Sequence, residues 1–80
     1  MASESARALA EKAIADYGFR QALLWGTEEV LAAWPLEPAE AEAVRSRLLA
    51  QVAELPVPVE PDQRPAVLAR LLQAFDADPS

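Results

Sequence analysis

The apolar residues of this chain recur at steps of three and four positions, and this period constrains the fold more than any other feature. A period of 3.6 is that of an α-helix with one buried face, whereas a half-buried strand would alternate at every second residue. The clearest stripe predicts a helix over 38–55, which starts at Pro38, a good first helical residue. Its inward positions are Ala41, Val44, Leu48, Leu49, Val52 and Leu55.

Similar stripes, separated by glycine and proline, predict three shorter helices before this one. The first starts after a serine cap at Ser3 or Ser5, and Gly18 follows as a left-handed C-terminal residue. The second covers 19–25 and ends at Gly26, and the third starts with Thr27 as its N-cap and closes before Pro35. The inner stripe of the first helix is expected to be Ala6, Leu9, Ala10, Ala13, Ile14 and Tyr17.

Alternate prolines in 56–61 exclude a helix there and favour a stiff, extended spacer. Asp62 then caps a last helix with an apolar face of Val67, Leu68, Leu71, Leu72 and Phe75. The predicted fold is all-α, a compact four- or five-helix domain with a Pro-rich spacer before the last helix. Its parts are a recognition domain at 1–55, the spacer at 56–61, an amphipathic helix at 62–75 packed on the same domain, and a tail at 76–80.

Charge and composition exclude several classes of function. Thirteen acidic and seven basic residues give a net charge of −6, whereas a nucleic-acid binder needs a basic stripe that releases phosphate counterions. The same acidity opposes docking on an anionic membrane. No apolar run approaches the roughly 20 residues of a membrane span, and no secretion signal is evident. We therefore expect no nucleic acid, no membrane and a cytoplasmic location.

The composition also excludes most kinds of catalytic group. There is no cysteine and no histidine among its 80 residues, which excludes thiolate nucleophiles, imidazole bases and Cys/His metal sites. The densest carboxylate pairs, Glu28/Glu29 and Glu37/Glu40, fall in first turns of predicted helices, where capping and the helix dipole explain them. We expect no enzymatic activity, no cofactor and no metal.

Two residues of the second helix are candidates for contact with a partner. Trp25 follows the inward pair Leu23–Leu24 and precedes a glycine, which leaves part of its ring exposed, and tryptophan is a frequent interface anchor. Arg20 either pairs with Asp16 or Glu28 within the chain or makes a charged contact to a partner.

The last helix offers a second candidate surface, formed by Leu68, Leu72 and Phe75. One alternative is that this helix folds back on the fourth helix. The other is that the spacer holds it away, so that it docks in a groove of a partner.

The stretch 7–44 carries a motif that runs Asp16-Tyr17-Gly18-Phe19-Arg20, Leu23-Leu24, Gly26-Thr27-Glu28-Glu29, Leu31-Ala32 and Trp34-Pro35-Leu36-Glu37-Pro38-Ala39-Glu40. This motif resembles the nitrile-hydratase-like leader peptide clan, which includes leaders of ribosomally made, modified peptides. It is also similar to the small helical subunit of extradiol aromatic-ring-opening dioxygenases. The usual Asp-Pro after the Leu-Leu pair is absent, as are a Gly-Gly cleavage site and a core rich in Cys, Ser or Thr.

The resemblance implies a stand-alone recognition or accessory protein. We expect a non-catalytic module that binds a larger protein, either a modifying enzyme or a catalytic subunit. Two alternatives stay open: an acidic regulatory or inhibitory protein that covers a basic site, and a self-assembling dimer formed through the fourth or fifth helix. A modified-peptide precursor is a further, weaker alternative.

Overall fold

Five helices form the fold in the computed structural model, which describes residues 2–56 and 59–76. Helix α1 is Glu4–Ala15, α2 is Tyr17–Trp25 and α3 is Thr27–Ala33. Helix α4 runs through Pro38–Ala43, a π-helical turn at Val44–Leu48, and Leu49–Ala53, and α5 is Arg64–Asp76. The described ranges contain no strand. The prediction of an all-α domain of four or five helices is confirmed.

The buried stripe of α1 follows the sequence prediction up to its end. The Ser3 hydroxyl caps the helix by accepting a hydrogen bond from the Ala6 N–H at 3.1 Å. Five of the six predicted inward residues are buried: Ala6, Leu9, Ala10, Ala13 and Ile14. The sixth was wrong, because Tyr17 lies beyond the helix end and is half exposed.

Asp16 causes this difference by ending α1 and starting α2. Its backbone is extended, and its carboxylate accepts a hydrogen bond from the Phe19 N–H at 3.1 Å, as an N-cap does. The chain therefore turns one residue earlier than predicted. Gly18 is the second residue of α2 and not a left-handed terminus of α1, which corrects its predicted role.

The start of α3 also differs from the prediction. Gly26 is its N-cap, and Thr27 is already helical. The Thr27 hydroxyl instead donates a hydrogen bond of 2.6 Å to the carbonyl oxygen of Leu23 in the preceding helix, α2. The Thr27 side chain thus fastens the junction between the two helices rather than capping the second.

Helix α4 is the central element of the core. Val44, Leu48 and Val52 are fully buried on one side of it, as the stripe predicted, but the helix ends at Ala53 rather than at Leu55. At its start, the Glu40 carboxylate accepts hydrogen bonds at 2.9 Å from both the N–H and the hydroxyl of Ser3. These bonds join the N-termini of α1 and α4.

Helix α5 packs across α1 and the π-helical turn, with Leu71 and Ala74 buried. The Arg47 Nε donates to the Ala74 carbonyl oxygen at 2.9 Å, which places a cation at the C-terminal end of α5. Val59, within the predicted spacer, is buried in the same core. Val57 and Pro58 of that spacer, and 77–80 of the predicted tail, lie outside the described residues.

Within the described ranges, no helix combines the length and the apolar character needed to cross a membrane.

Candidate functional site: the outer face of helix α2

Helix α2 has a single charged residue, and that residue points inward. Its nine residues are Tyr-Gly-Phe-Arg-Gln-Ala-Leu-Leu-Trp, and the arginine, Arg20, is only 3% exposed. The outer side of the helix therefore has no charged side chain of its own, although the exposed carboxylate of its N-cap, Asp16, lies beside Gly18. We call this surface the α2 face and define it by Tyr17, Gly18, Gln21, Ala22 and Trp25.

Trp25 is the most exposed large apolar residue in the described part of the chain. Its side chain is 84% exposed, and the indole Nε1 donates to the Gln21 Oε1 at 3.0 Å. Leu23 is buried and Leu24 half-buried beside it, so these two side chains take the inward positions. The exposure predicted for Trp25 from the sequence is thus observed.

Tyr17 forms the other end of the α2 face and is 51% exposed. Tyr17, Gln21 and Trp25 follow one another at steps of four residues, which places them along one ridge of the helix. At about 1.5 Å per residue, the two aromatic residues are separated by about 12 Å along the axis. Gly18 and Ala22, both small and exposed, lie beside this ridge.

Beneath the face, Arg20 is fixed by three hydrogen bonds to backbone carbonyl oxygens. Its Nε donates to Ala13 at 3.0 Å, and its Nη2 donates to Ile14 at 3.3 Å. Its Nη1 donates to Pro56 at 3.0 Å. The guanidinium carbon also lies 5.7 Å from the centroid of the Tyr17 ring, a cation–π distance.

These contacts correct both predicted roles of Arg20. No carboxylate of the described residues lies within 4.0 Å of its guanidinium, so it pairs with neither Asp16 nor Glu28. Its burial also leaves no accessible guanidinium for a partner. The signal available in the sequence was its position three residues before Leu23, on the inward stripe of α2. An arginine there has to satisfy its donors inside the domain.

Glu28 is instead held by Arg45 of α4. The two Glu28 carboxylate oxygens accept hydrogen bonds from Arg45 at 2.7 and 2.8 Å, in a bidentate pair on the surface. The hydrogen bond from Arg45 holds the pKa of Glu28 below its ordinary value. This pair ties α3 to α4.

The other aromatic residues of this region, Phe19 and Trp34, pack inside the domain. The rings of Phe19 and Trp34 lie 5.4 Å apart between centroids. The Trp34 Nε1 donates to the Ser5 carbonyl oxygen at 2.7 Å, which joins the end of α3 to the start of α1.

The three predicted contact residues of the last helix lie against the core of their own chain. Leu68, Leu72 and Phe75 are each half-buried and pack against the buried cluster. Leu68 also lines a cleft of about 440 Å³ between α1 and α5, beside Ile14, Arg7 and Arg64. The helix therefore folds back onto the domain and packs against both α1 and α4. The partner-binding candidates Trp25 and Leu68 lie on different helices.

The described residues contain no group of three or more aspartates and glutamates placed to hold a metal ion. No protein-family model, no curated protein and no solved structure matches this chain.

Proposed function

We propose that this chain is a small, non-catalytic cytoplasmic module that recognises a larger protein, an enzyme or catalytic subunit, through the α2 face. The observation that carries the proposal is the 84% exposure of Trp25 on a helix face without charge. An indole in water forgoes the free energy that its burial would release. Contact with a partner would recover that free energy.

The composition of the α2 face is that of an interface centre rather than of an ordinary surface. Tryptophan and tyrosine dominate binding energies at protein interfaces, where charged residues are depleted. Both aromatic residues of this face are exposed, at 51% for Tyr17 and 84% for Trp25. Its remaining members are glycine, alanine and glutamine.

The α2 face is also held in place before any partner arrives. The hydrogen bond from the Trp25 indole to Gln21 restricts the rotation of the ring. Arg20 fastens the helix from below to the end of α1 and to Pro56. A surface that is already ordered loses less conformational entropy on binding, which favours affinity.

The motif in 7–44 supports the same kind of function, recognition of a larger protein. It resembles a clan of leader-like modules and is similar to a small helical subunit of ring-opening dioxygenases, both of which work beside a larger enzyme. The α2 face lies within that stretch, in the segment from Tyr17 to Trp25. The proposed partner is therefore an enzyme of a peptide-modification pathway or a catalytic subunit that this chain completes.

The test uses three tagged forms of the full chain, expressed in the native host and captured at moderate salt. The forms are the wild type, Ala22→Glu on the α2 face, and Ala69→Glu on the exposed side of α5. The two variants make the same substitution and the same change in net charge. We expect one enzyme to be captured in stoichiometric amount by the wild type and by Ala69→Glu, and to be lost with Ala22→Glu. Equal capture by all three forms would contradict the role of the α2 face.

Repeating the capture at high salt distinguishes two modes of binding. In one, the partner docks on the apolar α2 face; in the other, the acidic surface of the chain covers a basic site of the partner. Salt screens charge pairs, with a Debye length that falls from about 10 Å at 0.1 M to about 3 Å at 1 M. Docking through the uncharged α2 face should survive high salt. Loss of the captured enzyme at high salt would favour the acidic regulatory alternative instead.

A further inference from the structure

We propose that the cleft between α1 and α5 is a binding site for a small organic carboxylate with an apolar body. We call it the α1–α5 cleft. Its volume is about 440 Å³, and small-molecule sites run from roughly 300 to 1,000 Å³. None of its lining residues belongs to α2, so this site is separate from the α2 face and from the proposed function.

The interior of the α1–α5 cleft is apolar. Ile14 of α1 is buried and Leu68 of α5 is half-buried, and two prolines, Pro61 and Pro65, complete the apolar part of the lining. Sites for small molecules are usually lined in this way, with a few polar groups that fix the orientation of the ligand. A hydrocarbon chain or ring that contacts these side chains is removed from water, which favours binding.

Two arginines supply the polar part of the lining: Arg7 of α1 and Arg64, the first residue of α5. The Arg7 Nε bonds the Glu11 carboxylate at 2.9 Å, but both side chains are more than half exposed, and exposed pairs of this kind are weak. Among the described residues, no carboxylate lies within 4.0 Å of the Arg64 guanidinium. Arg64 is therefore the cation that an added carboxylate would meet, in the bidentate geometry that a guanidinium offers.

The charges in and around the cleft favour a ligand with a single negative charge. The protein has a net charge of −6, yet the lining carries two arginines and one glutamate, Glu11. The exposed Glu60 and Asp62 flank Pro61 in the chain but are not part of the lining. These acidic neighbours disfavour a ligand with several negative charges, such as a nucleotide, whereas one carboxylate can be neutralised by Arg64 alone.

The side of the cleft at the start of α5 is ordered before any ligand arrives. The N–H groups of Gln63 and Arg64 donate to the Glu60 carbonyl oxygen at 2.9 and 3.2 Å. The Arg64 Nε donates to the Val59 carbonyl oxygen at 3.4 Å, and Val59 itself is buried in the core. This turn is thereby held against the domain, and a site that is already ordered loses less conformational entropy on binding.

The experiment is an NMR titration of the full, nitrogen-15-labelled chain with phenylbutyrate as the probe and phenylbutyramide as its uncharged counterpart. We expect shifts confined to the backbone amides of the cleft, in 7–15 and 60–68. The dissociation constant of phenylbutyrate should be about a millimolar, the affinity expected of so small a ligand. Phenylbutyramide should bind about five-fold more weakly, because it lacks the ion pair with Arg64.

Arg64→Gln and Arg70→Gln provide matched variants for this titration. Both remove one positive charge from an exposed position of α5, but Arg70 does not line the cleft. Arg64→Gln should weaken the binding of phenylbutyrate about five-fold and leave that of phenylbutyramide unchanged. Arg70→Gln should alter neither.

Two kinds of result would overturn the proposal. Absence of shifts up to the solubility limit of phenylbutyrate, or shifts spread over helices away from the cleft, would exclude the site. Equal affinity for the acid and the amide, or equal effects of Arg64→Gln and Arg70→Gln, would exclude recognition of the carboxylate. Because capture of the enzyme through the α2 face is measured separately, failure of this site is distinguishable from failure of the proposed function.

Discussion

The guanidinium of Arg20 donates a 3.0 Å hydrogen bond to the carbonyl oxygen of Pro56, a residue 36 positions further along the chain. The same side chain bonds the carbonyl oxygens of Ala13 and Ile14 near the C-terminal end of α1, where the last turn leaves carbonyls without helical partners. One buried cation thus joins α1, α2 and the proline-rich connection. Its inward direction is also what leaves the α2 face without charge.

Replacing Arg20 should destabilise the domain. Arg20→Met fills a similar volume but removes the donors of three carbonyl oxygens, two of them in buried hydrogen bonds. We expect a loss of about 2–4 kcal/mol in the free energy of unfolding, measured by urea denaturation with far-UV circular dichroism. The exposed Arg70 provides the control, and Arg70→Met should change the value by less than about 0.5 kcal/mol. Equal stability of the two variants would contradict the role given to Arg20.

The two tryptophans should respond differently to the same substitution. Trp34→Phe removes the 2.7 Å hydrogen bond to the Ser5 carbonyl oxygen and should lower the free energy of unfolding by about 1–3 kcal/mol. Trp25→Phe changes an exposed ring and should stay within about 0.5 kcal/mol of the wild type. Urea denaturation of both variants checks this. A larger loss for Trp25→Phe would mean that Trp25 belongs to the core.

The sequence predicted most of α1 correctly but not its C-terminal end, for physical reasons. The stripe of α1 could be predicted because its five buried residues follow one helical period within one unbroken helix. Tyr17 could not, because Asp16 both ends α1 and caps α2, and this double role depends on the path of the chain after it. An aspartate before a helical stripe is an N-cap signal, but the sequence offered a competing stop at Gly18.

The burial of Arg20 could be predicted only in part from the sequence. Its position on the inward stripe of α2 was readable, but the acceptors that make burial tolerable are carbonyl oxygens of Ala13, Ile14 and Pro56. Carbonyl groups belong to every residue and leave no mark in the sequence. The exposure of Trp25 was easier to predict from the sequence. Two leucines before it take the inward positions, and the glycine after it ends the helix.

Acid should weaken the contact between the two helix starts. Partial burial raises the pKa of Glu40, but the hydrogen bonds from Ser3 and from the Glu37 N–H outweigh this and hold the pKa below its ordinary value of 4.5. Because the folded pKa is the lower one, the stabilisation is complete above about pH 4.5 and is lost as pH falls through the folded value. Glu40→Gln should therefore flatten the decline of unfolding free energy on acidification, followed by urea denaturation at a series of pH values. The exposed Glu54 serves as control, and a flattening of the same size in Glu54→Gln would contradict the assignment.

Gln51 offers a stabilising substitution. Its Oε1 is buried and has no hydrogen-bond partner within the described part of the chain. A buried acceptor without a hydrogen-bond partner lowers the free energy of unfolding, because it has lost its contact with water. An apolar side chain of similar shape removes this desolvation cost. Gln51→Met should leave the thermal midpoint unchanged or raise it, by an amount corresponding to about 1 kcal/mol at most. Gln73→Met, at an exposed position of α5, is the matched comparison. A clear loss of stability in Gln51→Met alone would show that the amide has a partner.

Recognition of an enzyme through the α2 face is tested most directly by calorimetry. The captured enzyme, once purified, is titrated with the wild-type chain and with Trp25→Ala. Truncation of a tryptophan at the centre of an interface costs about 2 kcal/mol of binding free energy or more. We expect a loss of this size, while the free energy of unfolding stays within about 0.5 kcal/mol of the wild type. Unchanged affinity in Trp25→Ala, or a loss of several kcal/mol in folding stability instead, would contradict the account.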